Sequence, residues 1–152
     1  FDERIALAIP HQAGCGGTGP SRSKNPKADT VKIINKAFPH WFDDHFKKFN
    51  EQVDRIPFDQ HCLVALCAPR PVLYTNGIED QWANPDGQLE MLKAASSVYR
   101  LYGKDGVAAT EMPPLGKLVD SPLGYYCRTG PHVSDPDYWK TFLDFADKHL
   151  KK

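Results

Sequence analysis

His132 and an acid earlier in the chain are placed like the parts of a proton relay. His132 follows Thr129-Gly130-Pro131, after one apolar run (Leu123 to Cys127) and before an amphipathic pattern. Glu79 and Asp80 follow an earlier apolar run, Val72 to Thr75, that rises to Gly77. Imidazole titrates near neutrality, so it can take a proton from a nucleophile and return it to a leaving group. A carboxylate can hold the Nδ1–H of that ring and stabilise the imidazolium. An acid after one strand and a histidine after the next is the second half of a Ser…Asp/Glu…His chain order. Glu79 and Asp80 are neighbours, so their side chains point apart and one of the two does the orienting. A lone loop histidine or an acidic turn is usually just solvated; the pairing of the two positions carries the chemistry. Trp82, beside the acids, is either a core residue or a wall of the substrate site. Its indole would offer an apolar face for a sugar ring and an N–H donor.

These groups need a scaffold that delivers both to one edge. Val72 to Thr75 is apolar, β-rich and bounded by Pro71 and Gly77, as a short buried strand is. Leu123 to Cys127 is a second such run, and Ile5 to Ile9, ended by Pro10, reads as a third buried strand. In open α/β sheets functional groups collect beyond the C-terminal ends of the strands. Asn84-Pro85 is a helix cap followed by a first-turn proline, with Leu89, Leu92, Ala95 and Tyr99 at helical spacing and Gly103 as a stop. Asp135-Pro136 opens a last helix, with Trp139, Phe142, Leu143, Ala146 and Leu150 on the expected buried face. Its basic end, Lys148, His149, Lys151 and Lys152, suits the helix dipole.

Between the first two strands lies a helical insertion. Asp29 is expected to cap a short helix carrying Val31, Ile33 and Ile34. Pro39 is expected to open another, with Trp41, Phe42, His45, Phe46 and Phe49 on one face. Pro57 and Asp59 are expected to start a third, His61 to Cys67. Lys104 to Pro122 is a long Gly/Pro-rich loop. Strands alternating with helices predict a mostly parallel sheet covered on both faces, a three-layer αβα sandwich.

The 152 residues suit one domain, residues 1–152. Lys plus Arg equals Asp plus Glu, at 19 each, so no basic excess points to nucleic acid. No apolar run approaches the roughly 18 residues of a membrane span. Cys15, Cys62, Cys67 and Cys127 form no C-x-x-C pair. They read as buried small hydrophobes, with one or two disulfides as the alternative. The histidines lack metal-ligand spacing, so no metal is expected. Gly14, Gly16, Gly17 and Gly19 make a loop of close backbone approaches. The Walker lysine and the G-x-G-x-x-G pattern are missing there, so a phosphate loop is not expected. No G-x-S-x-G elbow occurs either. Ser21 and Ser23 lie in a polar loop, Ser96 and Ser97 in mid-helix, Ser121 and Ser134 near turns. A relay without its nucleophile predicts that the chain lacks its own beginning.

Several stretches together carry a family resemblance. They are Ala13-Gly14-Cys15-Gly16-Gly17, Phe38-Pro39-His40-Trp41-Phe42, Pro57-Phe58-Asp59-Gln60-His61 and Ala68-Pro69-Arg70-Pro71. Glu79-Asp80-Gln81-Trp82-Ala83-Asn84-Pro85, Gly130-Pro131-His132 and Leu143-Asp144-Phe145-Ala146-Asp147-Lys148-His149-Leu150 complete the set. In order, over nearly the whole chain, they resemble the glucuronoyl esterases of carbohydrate esterase family 15, in the bacterial form. The resemblance implies an α/β-hydrolase fold, with this chain as the C-terminal half of one catalytic domain. It implies a Ser-acid-His triad cleaving esters between 4-O-methyl-glucuronic acid of xylan and lignin alcohols, with no cofactor. The family nucleophile lies in a G-C-S-R-x-G-K motif, whose Arg is expected on the oxyanion and whose Lys is expected on the sugar. None of the three is in this chain, so the missing N-terminal part is the expected partner, with neither nucleic acid nor membrane.

Many members carry a catalytic Glu where Gln12 stands, and Gln12 cannot ionise. The resemblance then points to the later acid. Gly77-Ile78-Glu79-Asp80 has the G-x-x-D form common after this strand in α/β-hydrolases, which favours Asp80, with Glu79 as the alternative. His132 matches the catalytic histidine, and Trp82 a tryptophan expected to contact the uronic acid. The substrate class implies a secreted or periplasmic protein. The alternative function is a non-catalytic carbohydrate-binding or degenerate relative, motivated by Gln12 and the missing serine.

Overall fold

A computed structural model describes Asp2 and residues 4–151. Val72–Gly77 forms β1, buried along its whole length. Leu123–Arg128 forms β2 and pairs with β1 in parallel, from Val72 opposite Leu123 to Gly77 opposite Arg128. The segment around residues 5–12 follows the other edge of β1. Isolated parallel bridges join Ala8 to Val72 and His11 to Thr75. The Leu73 N–H donates to the Ala8 carbonyl at 3.0 Å, and the Gln12 N–H to the Thr75 carbonyl at 2.9 Å. The expected buried strand Ile5 to Ile9 is therefore a looser edge. Pro10 has no N–H for a ladder, and Ile5 is exposed.

Side chains alternate across the sheet, so each face has its own core. Pro85–Leu101 forms α4, started by Asn84, whose side chain accepts from the Gly87 N–H at 3.1 Å. Its Leu89, Leu92, Ala95 and Tyr99 pack on Val72, Tyr74, Leu123 and Tyr125. Pro136–Leu150 forms α5 on the opposite face, capped by Asp135. There Tyr138, Phe142 and Phe145 pack on Leu73.

This corrects the face expected for α5. Trp139, Leu143 and Leu150 are exposed, and the buried stripe is Tyr138, Phe142 and Phe145. Both stripes have helical spacing, so periodicity cannot choose between them. The sheet chooses: Gly124 on β2 leaves a hollow that the Phe145 ring fills, and a Cβ at Gly124 would lie 2.6 Å from that ring.

The insertion is also shorter in its helices than expected. Val31–Ala37 forms α1, capped by Thr30 rather than Asp29, because the Thr30 hydroxyl accepts from the Ile33 N–H at 3.2 Å. Asp44–Lys47 forms α2. It does not begin at Pro39, because Asp43 supplies the cap and residues 38–42 turn. A single 3-10 turn spans Val53–Arg55, and His61–Ala65 forms α3. Asp59 starts no helix by capping; it is buried and accepts from the Ser21 N–H at 2.8 Å. Cys15, Val31, Ile34 and Ile56 form a small second core, with Phe42, Phe46 and Phe49 against it, while Trp41 stays exposed. All four cysteines are free thiols. Among the described residues no helix is long and apolar enough to cross a membrane.

Phe145→Ala should lower the free energy of unfolding by about 3–5 kcal/mol. Leu143→Ala, on the outer stripe, should lower it by less than about 1 kcal/mol. Denaturant titration of both variants measures the contrast, and equal effects would restore the face expected from the sequence.

Candidate active site

The two strand ends continue side by side beyond the sheet. The Ile78 N–H donates to the Arg128 carbonyl at 2.8 Å, and the Glu79 N–H to the Gly130 carbonyl at 3.1 Å. Gly77 permits this approach. A Cβ there would lie 2.4 Å from the Gly130 oxygen and 2.6 Å from the Pro131 oxygen, well inside contact distance. Gly130 turns the second strand end with a φ of 128°. The crossing places residue 80 opposite residue 132.

Asp80 then turns inward, its N–H bonded to the Gly77 carbonyl at 3.1 Å. One carboxylate oxygen accepts from the Ala83 N–H at 3.2 Å. The other lies 2.7 Å from His132 Nδ1. The Asp80 carboxylate is buried, whereas the His132 side chain is 63% exposed. An ionised carboxylate only accepts, so Nδ1 carries the hydrogen and Nε2 is left as the basic nitrogen. Nε2 has no hydrogen-bond partner among the described residues. Glu79 is exposed and makes no hydrogen bond to His132. Of the two acids expected from the sequence, the fold brings Asp80 to the histidine and leaves Glu79 in solvent.

His132 lines a cleft of about 460 Å³, together with Trp82, Trp41, Phe42, Asp29 and the loop 12–17. Trp82 is 42% exposed, with its ring available at the cleft. The glycine-rich loop sits close against the cleft floor. A Cβ at Gly16 would lie 2.4 Å from the Phe42 ring, and one at Gly14 would lie 3.0 Å from the Asp29 carboxylate. No Ser or Thr is among the described residues lining the cleft. Cys15 lines it, but burial pushes its thiol up to about 12, with the charge of Asp29 adding to the shift. A thiol so rarely ionised is a poor nucleophile. Among the described residues no cluster of His, Cys, Asp or Glu is arranged to hold a metal ion.

Asp29 is the site residue that sequence reasoning missed. An acid just ahead of a helical pattern has the local signature of a cap, and nothing in its neighbours distinguishes a cleft carboxylate. Its side chain is buried, with one oxygen accepting from the Cys15 N–H at 3.0 Å. The other oxygen has no partner among the described residues. Burial raises its pKa to about 6; the Cys15 N–H opposes the rise, and the Asp80 charge adds to it.

The glucuronyl esterase family model, of the fungal form, matches residues 1–103. The chain belongs to the glucuronoyl esterase family. It is 44% identical over 150 residues to carbohydrate esterase MZ0003 from an unknown prokaryotic organism, covering 99% of this chain and 34% of that protein. It is 31% identical over 108 residues to 4-O-methyl-glucuronoyl methylesterase 1 of Wolfiporia cocos (strain MD-104), covering 68% of this chain and 26% of that one. A solved structure, a promiscuous CE15 esterase from the marine bacterial metagenome, aligns with a TM-score of 0.94 at 43% identity. That alignment covers 99% of this chain and 37% of that one. The fold is therefore the α/β-hydrolase fold of this family. The chain spans between about a quarter and just over a third of the length of these relatives.

Two outcomes follow from this geometry. Gly77→Ala forces the two strand ends apart, and should cost about 2 kcal/mol or more of stability by thermal unfolding. Asp29 is protonated up to about pH 6 in the folded chain, against 3.8 for an unperturbed carboxyl. Its ionisation thus costs stability as the pH rises through 6. Asp29→Asn should raise the unfolding free energy at pH 8 by about 2 kcal/mol and change it much less at pH 4.5. Denaturant titration at the two pH values checks the sign.

Proposed function

We propose that this chain is the later part of the catalytic domain of a serine-type carboxylic-ester hydrolase acting on glucuronoyl esters. The observation that carries the reading is the 2.7 Å contact between Asp80 and His132 Nδ1 at the rim of a cleft shared with Trp82. His132 Nε2 takes the proton of a serine hydroxyl as the oxygen attacks the ester carbonyl. It then returns that proton to the departing alkoxide. Asp80 holds the ring in the Nδ1–H tautomer and stabilises the imidazolium. Trp82 offers its ring face to the uronic acid. The serine and the oxyanion-binding groups belong to an upstream part of the same domain, outside this chain.

The names of its relatives support the substrate class. One is a 4-O-methyl-glucuronoyl methylesterase, which points here to esters of 4-O-methyl-glucuronic acid on xylan with lignin alcohols. A polymer of that kind lies outside cells, so the protein acts as a secreted or periplasmic enzyme. A carbohydrate-binding relative without turnover is the competing reading, favoured by Gln12 and by a cleft lined by no hydroxyl nucleophile among the described residues.

In the full-length protein, His132→Ala should lower kcat on a methyl glucuronate ester on the order of 10³-fold or more without loss of fold by circular dichroism. Asp80→Asn should lower it at least about 100-fold, and Glu79→Gln by less than about threefold. A larger loss at Glu79 transfers the acid role to it. Binding of the ester with no turnover in the unaltered protein establishes the competing reading.

A further inference from the structure

The backbone carbonyl of Val133, next to His132, accepts two side-chain hydrogen bonds from the opposite edge of β1. His11 Nε2 lies 2.9 Å from it and Gln12 Nε2 3.3 Å. A carbonyl only accepts, so both nitrogens must carry hydrogen. His11 is thereby held as the Nε2–H tautomer, its Nδ1 accepting from the Thr75 hydroxyl at 2.8 Å. Burial also lowers the His11 pKa, which favours this neutral ring. The rings of Tyr138 and Phe142 pack edge-on to it, at 4.5 and 5.5 Å between centroids.

Gln12 is held at longer range, and its Oε1 is buried with no partner among the described residues. Its side chain is buried, and its amide nitrogen also lies 3.3 Å from the Tyr138 hydroxyl. Its backbone has a φ of 50°, a left-handed conformation that costs energy for any residue but glycine. The structure keeps that cost where the amide meets Val133. By contrast, residues 131–134 are exposed and have little packing of their own. Their other anchors are the Asp80 carboxylate on His132 itself and, at the two ends, the Glu79 N–H on the Gly130 carbonyl and the Arg128 guanidinium on Asp135.

We propose that His11 and Gln12 form a positioning clamp, two N–H donors on the Val133 carbonyl that set the aim of the His132 ring. This rests on the esterase reading for its kinetic consequence, but not for its geometry. The clamp commits position 12 to donation. An ionised glutamate there would turn a carboxylate against a carbonyl oxygen and has no hydrogen to offer.

The test uses the full-length protein. His11→Phe keeps the ring packing and Gln12→Leu keeps the shape, and each removes one donor. Each should lower kcat on a methyl glucuronate ester about tenfold or more at little-changed KM. His11→Gln, whose amide can donate to the same carbonyl, should recover most of the loss. Gln12→Glu at pH 8 should behave like Gln12→Leu. In His11→Phe and Gln12→Leu, the hydrogen-bonded Nδ1 proton of His132 should weaken or vanish from the far-downfield NMR spectrum. That signal needs no substrate. If the unaltered protein turns over no glucuronate ester, the esterase reading fails while the NMR comparison still decides the clamp. An unchanged Nδ1 signal in both variants overturns it. So does a kcat loss that merely tracks the folded fraction, or a rise in KM alone.

Discussion

The contact between Asp80 and His132 depends on one crossing of backbone. Two strand ends pass close enough for the Glu79 N–H to reach the Gly130 carbonyl, and Gly77 is the residue that lets them. Any side chain at position 77 would meet two carbonyl oxygens. A buried carboxylate and an exposed imidazole then meet although 52 positions separate them. The parallel register supplies the coarse placement, because Gly77 pairs with Arg128 at the ends of both strands. The glycine supplies the last few ångströms.

Asp80 and His132 have opposite surroundings, and each suits the part proposed for it. Asp80 is buried, with one oxygen on the Ala83 N–H and the other on His132. It therefore cannot turn away from the ring. His132 is exposed on the cleft side, so its second nitrogen can meet a group arriving from elsewhere. Asp29 puts a buried carboxyl into the cleft that His132 lines, close enough to feel the charge of Asp80. Burial is what chiefly raises the pKa of Asp29, and the negative charge of Asp80 adds to it. The cleft thus holds, beside the pair of Asp80 and His132, a carboxyl that changes charge near pH 6.

The edge of the sheet at residues 5–12 does more than complete the core. After pairing with β1 it turns into the glycine-rich loop, whose close approaches to Phe42 and Asp29 floor the cleft. At that turn His11 and Gln12 face across to the histidine loop. One short segment therefore lines the floor of the cleft and donates hydrogen bonds to the residue after His132.

Local chemistry in the sequence determined a good deal. The apolar runs at Val72 and Leu123, the Asn84-Pro85 and Asp135-Pro136 helix starts, and the acid-then-histidine order all depend on neighbours in the chain. Those neighbours are printed in the sequence. The family motifs were legible for the same reason. What only the tertiary structure decided depends on distant surfaces. Whether α5 buries Phe145 or Leu143 was settled by the hollow over Gly124, because both stripes have the helical period. Whether Asp29 capped a helix or entered the cleft was settled by the Cys15 N–H waiting across the loop. Asp80 and not Glu79 meets His132 because a tight turn at Gly77 aims one of two adjacent side chains inward and the other out. Adjacent residues share their composition and spacing, and only the three-dimensional path of the backbone separates where they point.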